Sequence, residues 1–140
     1  MTDKELIVEA IEARKNAYAP YSDFTVGAAL LTKTGNVYRG CNIENAAYSP
    51  TNCAERTAFF KAISEGERGF EAIAIVGGKT DAEPSEMDCV TPCGVCRQVM
   101  AEFCNVKNFK IICAAEPDRY VVKTLEEILP DSFGPANLKF

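Results

Sequence analysis

Hydrophobic residues recur at helical spacing in three stretches of the chain. The first follows Thr2-Asp3-Lys4-Glu5, which has the pattern of a capping box, and Pro20 is expected to end it. Its apolar positions are Leu6, Ile7, Ala10, Ile11, Ala17 and Tyr18. The second helix is expected to run from about Cys53 to Ser64, with Gly66 ending it. The third is expected to begin after Pro92. Its apolar stripe consists of Val95, Val99, Met100 and Phe103.

Four short apolar runs are typical of buried β-strands. They cover residues 26–31, 37–41, 72–76 and 109–114, and Gly77-Gly78 is expected to stop the third. Residues 79–88 are polar and are interpreted as a surface loop. A second capping box, Thr124-Leu125-Glu126-Glu127, predicts a short helix that Pro130 stops. This α-β-β-α-β-α-β order, followed by a small helix, favours an α/β sandwich with both faces of the sheet covered. Residues 1–140 are expected to form a single domain.

Composition excludes several kinds of chemistry. The 140 residues include seven Cys but no His, so the chain has no Ser-His-Asp triad, no Cys-His pair and no His metal ligand. The net charge of −5 argues against binding to duplex DNA or to an anionic membrane. No apolar run approaches the ~20 residues of a membrane span, and the start lacks the order of a signal peptide. A cytoplasmic location is therefore expected, where seven cysteines do not form a disulfide framework.

Three of the cysteines lie where helices are expected to start. The C-x-x-C of Cys93 and Cys96 is ambiguous by itself: it fits a redox dithiol, half of a zinc site or two packed thiols. Cys53 begins the second predicted helix, and a helix N-terminus favours thiolate. If the two helix ends face each other, they supply three ligands, and three protein ligands with one open position are typical of catalytic zinc. Cys89 is a candidate fourth ligand that would close the site.

Two charged residues follow Cys53. Glu55 is the natural general acid and base beside a metal in a chain without His, although a contact with the helix dipole also explains it. Arg56 lies on the same helix face as Cys53. Because three thiolates and Zn²⁺ carry a net negative charge, we hypothesise that the Arg56 guanidinium bonds a ligand sulfur and withdraws charge. A surface salt bridge is the alternative for Arg56, and Arg97 is a second candidate for the same role.

The metal segments resemble those of zinc deaminases. C-A-E at Cys53–Glu55 and P-C-G-V-C at Pro92–Cys96 match the H-x-E…P-C-x-x-C pattern, with Cys in place of the first His. Residues 21–29, 40–45 and 129–133 are also similar to segments of the small cytidine deaminases, so the resemblance covers nearly the whole chain. It implies a three-layer α/β/α sandwich with a mixed central sheet of about five strands. It also implies one Zn²⁺ per subunit, held by Cys53, Cys93 and Cys96.

The resemblance implies hydrolytic deamination of cytidine and 2′-deoxycytidine, with release of ammonia, in pyrimidine salvage. Glu55 would carry a proton from water to the ring nitrogen N3 and then one to the leaving amino group. Asn42 and Glu44 would bind the ribose. Phe24 would pack against the pyrimidine, and the backbone N–H of Ala54 would contact the base carbonyl.

The resemblance also implies an assembly. Tyr48 and Phe133 are similar to residues that approach an active site from neighbouring subunits, which implies a homotetramer whose sites are completed by neighbours. The expected partner is a small nucleoside rather than a nucleic acid or a membrane.

Four alternatives stay open on the sequence. A related deaminase acting on a cytosine nucleoside antibiotic would share the metal segments but not the segment 42–45. An editing deaminase would need a basic channel for a nucleic-acid strand, and this chain is acidic. A structural Cys₄ zinc module would use Cys89 as its fourth ligand. A C-x-x-C dithiol oxidoreductase would be active without metal.

Overall fold

The computed structural model describes residues 1–138 and contains a five-stranded sheet between layers of helices. The helices are α1 Asp3–Arg14, α2 Ala54–Ser64, α3 Gly94–Phe103 and the short α4 Leu125–Ile128. The strands are β1 Phe24–Thr32, β2 Val37–Cys41, β3 Phe70–Lys79, β4 Lys110–Glu116 and β5 Arg119–Thr124. Short 3₁₀ turns cover Pro84–Glu86 and Pro135–Leu138. Over this part of the chain, no helix has the length and apolar character that crossing a membrane requires.

The sheet has the strand order β2-β1-β3-β4-β5. β1 pairs antiparallel with both β2 and β3, and β4 pairs antiparallel with β5. β3 and β4 are parallel, so their connection has to cross the sheet, and α3 lies in that crossover. The mixed sheet of five strands confirms the expected fold class.

Strand side chains alternate between two cores, as the pleat requires. Leu30 and Ile73 belong to the core that α2, α3 and α4 cover. Ala29 and Ala74 belong to the core on the opposite face, against α1. The helices on both faces make the molecule the three-layer sandwich that was expected.

α2 lies directly against β2 at Gly40. A Cβ atom at Gly40 would stand 2.3 Å from the Ala54 carbonyl oxygen and 2.5 Å from the Ala58 nitrogen. Any side chain would therefore push the helix away from the sheet. The close contact fixes the start of α2, where Cys53 is the N-cap residue.

Both predicted capping boxes are present, in residues 2–5 and 124–127. Cys93 is the N-cap of α3, as Cys53 is of α2, so each predicted thiol stands at the start of its helix. The predicted ends of α2 are also confirmed, since the helix closes at Ser64 and Gly66 follows with a positive φ of 99°.

α1 ends at Arg14, well before the predicted stop at Pro20. The reason is a tertiary contact of Tyr18. Its N–H donates to the Asn42 carbonyl at 3.0 Å, and its carbonyl accepts from the Glu44 N–H at 2.8 Å. This pairing takes the chain out of the helix, so the prediction that the helix continues to Tyr18 is wrong.

β3 continues through Gly77 and Gly78, where the sequence predicts a stop. The two glycines pair with Val26 and Thr25 of β1. A Cβ atom at Gly78 would lie 2.6 Å from the Met87 side chain, so the missing side chain makes room for Met87. The prediction of a surface loop over residues 79–88 is therefore wrong at Met87, which is 3% exposed.

β5 was not among the strands predicted from apolar runs. It forms the edge of the sheet, and its Val121 and Val122 are 48% and 39% exposed, so no buried run marks it. Val95 is also exposed, which makes its assignment to the apolar stripe of α3 wrong. Cys96 and Ala101 are buried on that helix instead.

Candidate active site

Three cysteine thiols meet where α2 and α3 begin. Cys93 Sγ lies 3.7 Å from Cys53 Sγ and 3.4 Å from Cys96 Sγ. All three sulfur atoms lie within 4.8 Å of one another. Zn–S bonds of about 2.3 Å at tetrahedral angles place sulfur atoms ~3.8 Å apart. The three thiols therefore fit Zn²⁺ as ligands and leave a fourth coordination position for a small molecule.

Cys89 lies apart from this cluster. Its thiol donates to the Arg119 carbonyl oxygen at 3.6 Å, and its side chain packs against the core on the α1 side of the sheet. Among residues 1–138, the group of side chains able to hold a metal comprises Cys53, Cys93 and Cys96. A Cys₄ structural site is therefore not favoured.

Arg56 contacts the cluster in the way that charge withdrawal requires. Its Nη2 donates to Cys53 Sγ at 3.3 Å. In the metal-free chain, hydrogen bonds from Cys96 and then from Arg56 lower the pKa of Cys53 to about 5, although burial opposes them. Burial by itself would lower the pKa of Arg56, but its hydrogen bonds to the cysteines raise it. Arg56 Nε is buried and has no hydrogen-bond partner in the described chain.

Arg97, the second candidate for this role, directs its guanidinium elsewhere. Its Nε donates to the Pro92 carbonyl at 2.8 Å, and its Nη1 donates to the Ile128 carbonyl at 2.6 Å. Arg97 therefore donates to backbone carbonyls in two segments, one before it and one after it in the chain. The hydrogen bond to a ligand sulfur is made by Arg56.

Glu55 stands in the first turn of α2 and is 5% exposed. Burial, together with the negative charge of Cys53, raises the pKa of Glu55 to about 7. A carboxyl group with a pKa near neutrality can both take up and release a proton at physiological pH. Glu55 lines the same cavity as Cys53 and Cys93.

This cavity has a volume of about 520 Å³, which is within the range of small-molecule sites. Phe24, Asn42 and Ala54, three residues expected at the substrate, line it together with Glu55. Cys89 also lines the cavity, although it lies outside the thiol cluster. Sequence reasoning missed six further lining residues, which are Val26, Thr51, Asn52, Ile75, Val90 and Thr91. Thr51 and Asn52 could have been identified from the sequence, because they directly precede Cys53.

Asn42 is fixed by the backbone of β1. Its Nδ2 donates to the Phe24 carbonyl, and its Oδ1 accepts from the Val26 N–H, both at 2.8 Å. A side-chain amide has a second N–H and a second lone pair, which leaves one donor and one acceptor for a ligand. The hydrogen bonds therefore orient Asn42 without using it up.

Glu44 lines a neighbouring cavity of about 350 Å³, together with Tyr48. Thr51 borders both cavities. The Glu44 carboxylate accepts hydrogen bonds from the Ser22 hydroxyl and from the N–H groups of Ser22 and Tyr21. These bonds lower the pKa of Glu44, the Ser22 hydroxyl having the largest effect.

Tyr48 and Phe133 do not reach the thiol cavity within one chain. Tyr48 is 72% exposed, and its φ of 62° holds the backbone in the left-handed region. Phe133 is 58% exposed, and its carbonyl accepts from Gln98 Nε2 at 2.8 Å. Both aromatic rings are therefore available to another chain.

Comparison with known proteins places this arrangement among the zinc-dependent deaminases. A family model described as the cytidine and deoxycytidylate deaminase zinc-binding region matches residues 1–113. The chain belongs to the cytidine and deoxycytidylate deaminase family, a family of zinc enzymes.

Individual relatives are similar over nearly the full chain. The cytidine deaminase of Sporosarcina psychrophila is 49% identical over 140 residues, covering 100% of this chain and 97% of that protein. The cytidine deaminase of Halalkalibacterium halodurans is 51% identical over 133 residues, covering 95% of each. A crystal structure of cytidine deaminase from Burkholderia pseudomallei superposes with a TM-score of 0.85 at 44% identity, covering 95% of this chain and 100% of that one. The resemblance predicted from the motifs is confirmed.

Proposed function

We propose that this chain hydrolyses the 4-amino group of cytidine and 2′-deoxycytidine, giving the uridine nucleosides and ammonia. The relatives' names support cytidine as a substrate. The observation that carries the proposal is that a buried carboxyl, Glu55, lines one cavity with the thiols of Cys53 and Cys93.

Cys53, Cys93 and Cys96 would hold one Zn²⁺ per subunit. When bound there, zinc supplies the Lewis-acid activation that lets water act as a nucleophile near neutral pH. Three thiolates make the metal electron-rich and weaken that activation. Arg56 counters this, since its guanidinium draws charge from Cys53 Sγ.

The chain's own groups then bind the nucleoside and move protons. Glu55 takes a proton from water and delivers it to N3 of the base while the water oxygen bonds to C4. It then carries the second proton of that oxygen to the amino group, and the C4–N bond breaks to release ammonia. The N–H of Ala54, in the first turn of α2, has no partner within the helix and is free for the base carbonyl. Phe24 packs against the pyrimidine, and the spare N–H of Asn42 donates to a ribose hydroxyl.

We also propose that residues 1–140 form one domain and assemble into a homotetramer. The exposure of Tyr48 and Phe133 supports a role for both rings in a neighbour's site. Glu44 would reach the ribose from the adjoining cavity at Thr51. Seven free cysteines suit a reducing compartment, which supports a cytoplasmic location. A role in pyrimidine salvage would follow from the proposed nucleoside substrates.

The test of the activity compares cytidine, 2′-deoxycytidine and free cytosine. We expect loss of nucleoside absorbance and release of ammonia with both nucleosides, loss of turnover on chelation, and recovery with Zn²⁺. Bound zinc without turnover of any nucleoside would instead indicate a structural metal module. Turnover that survives complete removal of metal would contradict the zinc-dependent chemistry.

The assembly is tested by subunit mixing. A Glu55→Gln chain and a Phe133→Ala chain, each weakly active alone, are expected to regain activity when they are mixed under conditions that exchange subunits. A monomeric protein by light scattering, or no recovery after proven exchange, would contradict sites completed by neighbours.

A further inference from the structure

Cys93 lies in a short exposed stretch between two buried residues, Pro92 and Cys96. Cys93, Gly94 and Val95 are all exposed, and a Cβ atom at Gly94 would meet no atom within 4 Å. The start of α2 is different, because the backbone of Ala54, the residue after Cys53, packs directly against Gly40. The Cys93 side chain itself has little packing, so hydrogen bonds that hold the backbone around it contribute to the position of its Sγ.

Arg97 supplies such hydrogen bonds on both sides of this stretch. Its Nε donates to the carbonyl of Pro92, the residue directly before Cys93. Its Nη1 donates to the carbonyl of Ile128, the last residue of α4, which lies 31 residues farther along the chain. A guanidinium is planar and presents its N–H groups in a fixed fork, so it sets the spacing of the two carbonyls that it joins.

The next residue extends this connection. Gln98 Nε2 donates to the Phe133 carbonyl at 2.8 Å. Ile128 and Leu129 pack against the core that α2 and α3 share. The segment after β5 is therefore anchored in the core, and it offers Arg97 a fixed point against which the exposed stretch can be held.

We propose that Arg97 is a positioning residue of the metal site. It ties the carbonyl of Pro92 to the end of α4 and thereby holds Cys93 Sγ where it can share a metal with Cys53 and Cys96. The proposal rests on the zinc site proposed above. It makes the chain beyond β5 a structural part of a metal site whose ligands all precede it.

Two substitutions separate this connection from a simple effect of charge. Arg97→Ala removes both the hydrogen bonds and the charge, whereas Arg97→Lys keeps the charge but cannot span both carbonyls. We expect both variants to bind Zn²⁺ about 10- to 100-fold more weakly in competition with a chromogenic chelator. In the Co²⁺-loaded protein, the thiolate-to-cobalt charge-transfer band should weaken or shift. Zinc affinity within twofold of the wild type in Arg97→Lys, with an unchanged cobalt spectrum, would overturn the proposal.

A remote variant tests the same connection without touching Arg97. Thr124→Ala removes the N-cap of α4 and loosens the Ile128 carbonyl. We expect zinc affinity to fall by up to about fivefold in the wild-type background. No further fall is expected in the Arg97→Lys background, because the connection is already lost there. Equal losses in both backgrounds would overturn the proposal. A wild-type chain that binds neither Zn²⁺ nor Co²⁺ would instead reject the metal site itself.

Discussion

Glu55 is an acidic side chain that water barely reaches. The sequence places it two residues after Cys53, which suggests a role beside a metal. Its burial could not be predicted, since the first turn of a helix is usually solvated and the residues that cover this one come from other segments. Burial is also what raises the pKa of Glu55 to about 7. At the scale of single residues, the sequence indicated that Glu55 has a role beside a metal. The burial that sets its pKa could be seen only in the structure.

The substitution Glu55→Gln tests the proton transfer. Gln is close in size but cannot carry a proton, so we expect kcat for cytidine to fall by at least about 10²- to 10⁴-fold. Zinc content should stay near that of the wild type, because Glu55 is not one of the three thiols. Near-normal turnover with zinc bound would contradict the role of Glu55. Metal content by atomic absorption is the control.

The raised pKa of Glu55 also predicts a pH dependence of stability in the metal-free protein. The ordinary pKa of a Glu side chain is 4.5, whereas the pKa of Glu55 in the folded chain is about 7. Below that range it is neutral in both states, and above it folding has to bury the charge, at a cost of about 3 kcal/mol over the full shift. We expect the free energy of unfolding of the wild type to fall relative to Glu55→Gln as the pH rises through this range. Parallel urea-denaturation profiles for the two proteins would contradict it.

At the scale of elements, apolar runs and helix caps predicted α2, α3 and four of the strands. They failed where another segment decides the local structure. Tyr18 lies outside α1 because its backbone pairs with the segment after β2. Gly78 lies within β3, where its missing side chain leaves room for Met87. β5 was not predicted because an edge strand does not need a buried apolar run. The spacing of apolar residues shows which face of an element is buried. These three cases depend instead on contacts with other segments of the chain.

The contact of α2 with Gly40 gives a sharp test at this scale. A Cβ atom there would overlap the Ala54 carbonyl at 2.3 Å, so Gly40→Ala has to move the helix that carries Cys53. We expect a loss of about 1–3 kcal/mol in the free energy of unfolding together with weaker zinc binding.

Gly69→Ala is the matched control for this substitution. Its Cβ atom would meet the flexible Lys33 side chain at 3.4 Å, an ordinary contact. We expect its stability and zinc affinity to stay close to those of the wild type. A Gly40→Ala protein as stable as Gly69→Ala would contradict the close-contact explanation.

At the scale of the whole molecule, the cavity is assembled from segments that are far apart in sequence. Phe24 comes from β1, Asn42 follows β2, Glu55 starts α2, and Cys93 precedes α3. Spacing along the chain cannot measure the distances between these segments. The motifs allowed the proposal that the starts of α2 and α3 face each other. The two helix starts lie side by side because of the order of the strands in the sheet. The sequence indicated that order only through its resemblance to a family.

A metal that joins α2 to α3 should stabilise the entire fold. Binding to the folded state alone adds about 4 kcal/mol at a thousandfold excess over Kd, which corresponds to roughly 10–15 °C in Tm for a domain of this size. We expect calorimetry to show this shift between chelated and zinc-loaded wild type, and to show far less of it in Cys93→Ser. Cys104→Ser should retain the shift, because its thiol lies outside the cluster. Equal shifts in both variants would contradict the ligand assignment.

Cys53 and Cys93 are 40 residues apart in sequence, yet their sulfur atoms lie 3.7 Å apart. A metal bound to both closes the chain into a ring that contains α2 and the central strand β3. In an unfolded chain, a closure of this length removes conformational entropy worth about 4 kcal/mol. The metal thus acts as a reversible cross-link. Loss of the metal should raise amide exchange rates most within residues 54–92. Without the cross-link, partly unfolded forms of this segment have more conformational entropy and are populated more often.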